Sequence, residues 1–215
     1  MSSSSGTYGT DVEVVLEAAD RFVIQQVFKP VANEYRISVP ESGSSEEGPP
    51  LLFVKQKKMK IKEDIRFRVD PDRDEHLFMI KSKSVFEFAG RHEGLDAEGA
   101  AIGLLEKDFK RSLLRSHWHV YDAAGTELLA AQEKNLLIAV VRRVAGLLSD
   151  ELLGLLRWLP FDFVLTRNGE DVGHYRRVLG KFRDRYVLEL GPATEEVDRR
   201  LLIAFTVALD ALQDR

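Results

Sequence analysis

Thr194-Glu-Glu-Val-Asp-Arg-Arg-Leu-Leu-Ile-Ala-Phe-Thr-Val-Ala-Leu-Asp-Ala-Leu-Gln-Asp-Arg215 ends the chain and decides how the rest must be arranged. It starts as a helix should. Thr194 is a candidate N-cap, and Glu195 and Glu196 stand where the positive end of a helix dipole favours acids. From Leu201 to Leu209 only Thr206 interrupts the apolar run. Such a helix has no polar face and must be wrapped on every side. The run is about half the ~20 residues a membrane span needs, and Asp198, Arg199, Arg200 and Asp210 bracket it closely. The pattern predicts a central helix over 195–213, threaded through a shell made by the rest of the chain.

That shell reads as β-strand. Phe53 to Val69 alternates most clearly: Met59, Ile61, Ile65, Phe67 and Val69 share one parity, and Lys58, Lys60, Lys62, Arg66 and Arg68 the other. One apolar face and one cationic face at period two describe a half-buried strand pair, turning near Glu63-Asp64. Tyr35 to Val39, Leu77 to Ile80 and Ser84 to Phe88 are further short strands. Turns recur at Asp96-Ala-Glu-Gly99, Asp122-Ala-Ala-Gly125 and Arg167-Asn-Gly-Glu170, which is the punctuation of an antiparallel meander. Ala101-Ile-Gly-Leu-Leu-Glu-Lys107 leading to Trp118-His-Val-Tyr121 echoes Asp171-Val-Gly-His-Tyr-Arg-Arg177 leading to Tyr186-Val-Leu-Glu-Leu190. The echo suggests duplication of half a barrel, with chance similarity between amphipathic strands as the competing account.

Three stretches stand apart. Residues 1–21 read as a flexible tail or lead-in, with a short helix suggested from Asp11 to Arg21, and neither a basic n-region nor an apolar h-region marks a signal peptide. Pro40 to Pro50 reads as a polar loop with nothing to bury. Residues 136–159 are too long for a strand and divide at Ser149 into two helices, about 136–147 and 150–158, stopped by Pro160. This segment either covers an edge or mouth of the barrel, with a subunit or protein contact as its extension, or rests on a membrane with Arg157 and Trp158 at the interface.

The 215 residues carry a net charge of −4 and no cysteine, so disulfides, thiolate metal sites and cysteine nucleophiles are excluded. Affinity for an anionic surface must therefore come from a local patch. The patch the pattern offers is Lys58, Lys60, Lys62, Arg66 and Arg68. Several cations on one face could hold a phosphate through charge-assisted bonds, or they could simply solvate the outside of a barrel. His117 and His119 flank Trp118 on one strand face and would need a third ligand from a neighbour to hold a metal, so no metal is assigned. Asp122, Asp150, Glu151, Asp162 and Asp171 fall at turns or caps, and no Gly-x-Ser-x-Gly or phosphate-binding glycine loop occurs. No enzyme, cofactor or nucleic-acid partner is expected.

Asn33-Glu-Tyr-Arg-Ile37, Phe53-Val-Lys-Gln-Lys57 with Lys62-Glu-Asp-Ile-Arg-Phe67, Leu77-Phe-Met-Ile-Lys81, Ile102-Gly-Leu-Leu-Glu-Lys107 and Arg115-Ser-His-Trp-His-Val-Tyr-Asp122 precede the Leu-rich helix with its Asp210. In that order, over roughly residues 22–212, they resemble the LURP-one-related family of the tubby C-terminal-like superfamily, to which phospholipid scramblases also belong. The resemblance implies one domain over 22–215: a closed antiparallel barrel of about twelve strands around a hydrophobic C-terminal helix. It also implies a non-enzymatic, cytoplasmic binding or scaffold protein, peripheral to a membrane where the basic face meets anionic or phosphoinositide-like headgroups. The alternative is a protein–protein or homo-oligomeric module using 136–159. Scramblase-like lipid transport comes third, because the palmitoylated cysteines, the Pro-rich N-terminal region and the acidic calcium segment before the helix have no counterpart, and Gly191-Pro-Ala-Thr-Glu-Glu196 stands in the last position.

Overall fold

Asp96 and Asp122 show how consecutive strands are joined. Each carboxylate accepts the backbone N–H four residues on, from Ala100 or Thr126, at 2.7 Å. Each aspartate carbonyl also accepts the N–H of Gly99 or Gly125, residues whose φ of 86° and 87° suits glycine. The Thr126 N–H holds the Asp122 carboxyl below the usual carboxylate range. The third turn places Asn168 and Gly169 at φ 54° and 84°, both positive as a type I′ hairpin requires.

A computed structural model describes residues 5–28, 32–41, 46–57, 64–82, 90–108, 116–134, 162–178 and 185–213. Helix α1 (Ser5–Ala18) precedes β1 (Arg21–Phe28), β2 (Ala32–Ser38), β3 (Pro50–Lys57), β4 (Ile65–Arg68), β5 (Phe78–Ser82) and β6 (Arg91–Asp96). Then follow β7 (Ala101–Lys107), β8 (His117–Tyr121), β9 (Glu127–Glu133), β10 (Asp162–Arg167), β11 (Glu170–Val178), β12 (Arg185–Leu190) and helix α2 (Arg199–Gln213). Every strand pairs antiparallel with its sequence neighbours, and β1 closes the circle on β12, with Phe22 opposite Leu188 and Ile24 opposite Tyr186. The fold is a closed twelve-stranded antiparallel barrel with a C-terminal helix.

Leu201 through Leu209 are all fully buried, so the unbroken apolar run has the enclosure it needs. Phe205 meets the Trp118 ring edge-on at 6.1 Å, and Tyr175 donates its hydroxyl to the Thr206 carbonyl at 3.3 Å. Thr206, the single polar side chain of the run, bonds back to the Ile203 carbonyl at 2.8 Å. Gly94 and Gly103 face each other on β6 and β7 and leave room for Leu201. A Cβ at Gly103 would stand 2.5 Å from both Leu201 Cδ2 and the Tyr121 carbonyl oxygen.

Several expectations change. The helix begins at Arg199, four residues after the predicted start, and Asp198 caps it by accepting the Arg200 N–H at 2.8 Å. Thr194 is already committed: its hydroxyl bonds the Gly191 carbonyl at 2.7 Å and its own carbonyl accepts buried Arg199 at 2.7 Å. The short helix suggested from Asp11 to Arg21 lies earlier in the chain, from Ser5 to Ala18, where Leu16 enters the core and Glu13 pairs with Arg200 at 3.1 Å. The loop after β2 does bury something: Pro40 is enclosed, and Glu47 accepts bonds from Gln25 at 2.5 Å and Arg185 at 2.8 Å. Asp162 and Asp171 lie in strands rather than at turns or caps. The helices predicted within 136–159, the strand Ser84 to Phe88 and the turn residue Glu63 lie outside the described residues.

The internal echo has a local cause. The two copies, β7–β8 and β11–β12, lie four strands apart, whereas halves of a twelve-stranded barrel would repeat after six. What they share is a register shift just before an inward glycine, at Ile102-Gly103 and Val172-Gly173. In both, a Cβ would crowd a carbonyl of the following strand, Tyr121 or Glu189. A bulge followed by glycine is a recurrent way to bend a barrel strand.

Candidate functional site

β4 is held by aromatic packing. Phe67 stacks on Phe78 of β5 with centroids 4.2 Å apart, and Ile65 and Phe67 are buried. Alternation then sends Arg66 and Arg68 to the outside, opposite Met79 and Phe53. Arg36 on β2 also pairs with Phe53, so Arg36, Phe53 and Arg68 form one row across three strands. Lys58, Lys60 and Lys62 lie outside the described residues, in the segment that joins β3 to β4.

The outer side of β4 is more sheltered than its sequence suggests. Arg68 has only 19% of its side chain exposed, and the carboxylate it meets among the described residues, Asp74, is 99% exposed and 3.4 Å away. Such a pair in high dielectric holds the arginine weakly. Arg68 Nε and His76 Nε2 are both buried without a hydrogen-bond partner among the described residues. Burial lowers the His76 pKa, and the charges of Arg66 and Arg68 lower it further against an opposing pull from Asp64. His76 comes from the connection before β5, which strand periodicity gave no means of placing beside Arg66 and Arg68.

The histidine pair lies elsewhere on the barrel wall. Trp118 is buried and His117 and His119 take the opposite face, their rings 4.9 Å apart. His119 Nδ1 is 3.1 Å from Glu127 without hydrogen-bond alignment, and its Nε2 is 3.9 Å from Asp108. Tyr121 completes this wall; its pKa is raised by burial and by Glu106 and Glu127. Among the described residues no group of three His, Asp or Glu has the spacing to hold a metal ion.

The sequence model of the LURP-one-related family matches residues 51–210, almost three quarters of the chain. The chain belongs to the LURP-one-related family. The matched stretch runs from β3 into α2 and includes all five basic residues proposed from the sequence. It stops short of β1 and β2, although β1 is the strand that closes this LURP-one-related barrel. No characterised protein and no solved structure matches the chain. No described helix of this family member is long and apolar enough to cross a membrane.

Proposed function

We propose that this LURP-one-related protein is a non-enzymatic binding protein that takes an anionic group, the phosphate of a lipid headgroup, on the outer face of the β3–β4 hairpin. Lys58, Lys60, Lys62, Arg66 and Arg68 supply the charge. The observation that carries this reading is the pair of buried polar atoms without partners among the described residues, Arg68 Nε and His76 Nε2, where burial and then the charges of Arg66 and Arg68 lower the pKa of His76. A phosphate oxygen accepts charge-assisted bonds from such donors and removes the cost of leaving them unpaired.

The test is co-sedimentation with phosphatidylserine-containing and phosphoinositide-containing vesicles against pure phosphatidylcholine. Each Lys or Arg near an anionic surface is worth about 1 kcal/mol, so K60E/R66E should weaken binding at least about 30-fold and leave the melting temperature unchanged. Unaltered binding rejects the face. A soluble inositol phosphate separates headgroup from free anion: where it competes with vesicles and raises the His76 pKa in an NMR titration, the phosphate itself is the ligand. A His76 pKa that stays depressed in the presence of bound vesicles places the phosphate elsewhere.

A further inference from the structure

The row formed by Arg36, Phe53 and Arg68 belongs to a wider wall. On β2 to β5 the buried positions include Tyr35, Val54, Phe67 and Ile80, so the residues between them point outward. Those outward positions carry Arg36, Lys55, Arg66, Arg68 and Lys81 against one carboxylate, Glu34. Arg36, Lys55 and Lys81 are exposed, and Arg66 and Arg68 are partly buried. Lys81 on β5 stands three strand spacings from Arg36 on β2, about 14 Å along the wall, so these cations address a surface rather than one phosphate.

Arginines elsewhere on the barrel's outside are matched to carboxylates. Arg91 on β6 meets Glu106 on β7 at 3.1 Å, and Arg185 on β12 meets Glu47 at 2.8 Å. Arg21 on β1 and Arg176 on β11 share Glu189 on β12, at 2.9 and 3.2 Å. On the β2–β5 wall that matching stops. Among the described residues Arg36, Lys55, Arg66 and Lys81 enter no ion pair, and Arg68 has exposed Asp74 alone. Glu34 and Glu93 stand opposite Lys55 and Lys81 in register without closing a pair with them. Like charges gathered on one sheet face oppose each other, and an anionic surface laid against the face removes that opposition.

Apolar side chains lie between the cations. Phe53, Met79 and Leu95 are each partly exposed, and Arg66, Met79 and Leu95 are opposed in register from β4 to β6. Cations set among apolar groups suit a bilayer surface, where charge meets headgroups and apolar side chains reach the acyl boundary. A purely ionic polymer would use the cations alone. The acidic connection 69–77 bounds the wall at one end, where Asp70 is held by Arg73 at 3.2 Å. Lys55, Arg66 and Lys81 lie toward the other end of their strands, which sets the positive charge away from those acids.

We infer that the protein docks side-on to an anionic lipid bilayer, with the β2–β5 wall against the headgroups and Arg36, Lys55 and Lys81 among the contacts. This rests on the lipid-headgroup reading of the β3–β4 face and extends it to β2 and β5. The test measures partitioning of the full chain and three variants onto mixed phosphatidylserine–phosphatidylcholine vesicles at low and high salt. R36Q/K55Q and K81Q remove charge from the wall. Q132E/N168D places the same change in net charge as R36Q/K55Q on exposed positions of β9 and the β10–β11 turn, across the barrel. R36Q/K55Q should lose about 30-fold in partitioning and K81Q about 5-fold, both with reduced salt sensitivity, while Q132E/N168D stays within about twofold of the wild type. Equal melting temperatures establish that the variants are folded. Wild-type partitioning sensitive to K60E/R66E but indifferent to R36Q/K55Q and K81Q leaves the hairpin site standing and overturns side-on docking. An equal loss in Q132E/N168D overturns it as well, because net charge alone would then govern binding. Heparin bound as tightly as vesicles, and lost in the same variants, overturns the bilayer as the occupant. Wild-type protein that ignores anionic vesicles overturns both readings.

Discussion

Phe205→Asp yields a chain with no cooperative unfolding transition, whereas Phe205→Leu still folds. Phe205 is fully buried at the centre of α2, against Trp118. Removing a core phenylalanine costs about 3–5 kcal/mol in lost packing. The new carboxylate adds several kcal/mol, because the neighbouring run from Leu201 to Leu209 offers it no counter-ion. Protonating it relieves the charge but still leaves a buried polar group to satisfy. A domain is stable by about 5–15 kcal/mol, so the combined cost reaches the whole of it. Circular dichroism during denaturant titration is sufficient to read the result. A soluble Phe205→Asp protein with a sharp transition near that of the wild type would mean that α2 does not occupy the barrel.

Enclosure of α2 is legible in the sequence because a helix with nine consecutive buried positions cannot hide that fact from its composition. Its starting point is less legible. Thr194 and Asp198 are both good caps, with only a modest local preference for Asp. Tertiary contacts choose between them: Arg199 takes the Thr194 carbonyl, while Arg200 binds both Asp198 oxygens and reaches Glu13 of α1. The same contact explains why the bounds of α1 are hard to read from the sequence. Its sequence, with two glycines and three valines among fourteen residues, has modest intrinsic helix preference, and two of its valines, Val14 and Val15, face solvent. Packing of Leu16 and the Glu13–Arg200 pair hold it instead.

The candidate site divides in a similar way. Alternation in the sequence places Arg66 and Arg68 on the outer face, since Ile65 and Phe67 have nowhere else to go than inward. His76 and Asp74 join them from a connection whose path no period describes.

Acidification should destabilise the barrel through His92, between the pKa of an unfolded histidine and that of the folded one. His92 lies on the inward side of β6, opposite Leu105 and stacked at 6.2 Å on Trp118. Burial lowers its pKa from 6.5 to about 4. The unfolded chain therefore takes up a proton first as pH falls, and unfolding gains on folding over that interval. The contribution is fully present above pH 6.5, declines as pH falls toward 4, and is then exhausted. A shift of this size corresponds to about 3 kcal/mol, a large part of a typical domain's stability. His76, also lowered, acts in the same direction, so the slope attributable to His92 is obtained by difference. His92→Gln removes the titrating group while keeping a polar side chain of similar reach. Denaturant unfolding of the two proteins at neutral and mildly acidic pH should show the wild type losing roughly 3 kcal/mol more than the variant over the interval. Parallel pH profiles would mean that His92 takes up its proton in the folded barrel as readily as in the unfolded chain, and that water or a carboxylate reaches the ring beside Trp118.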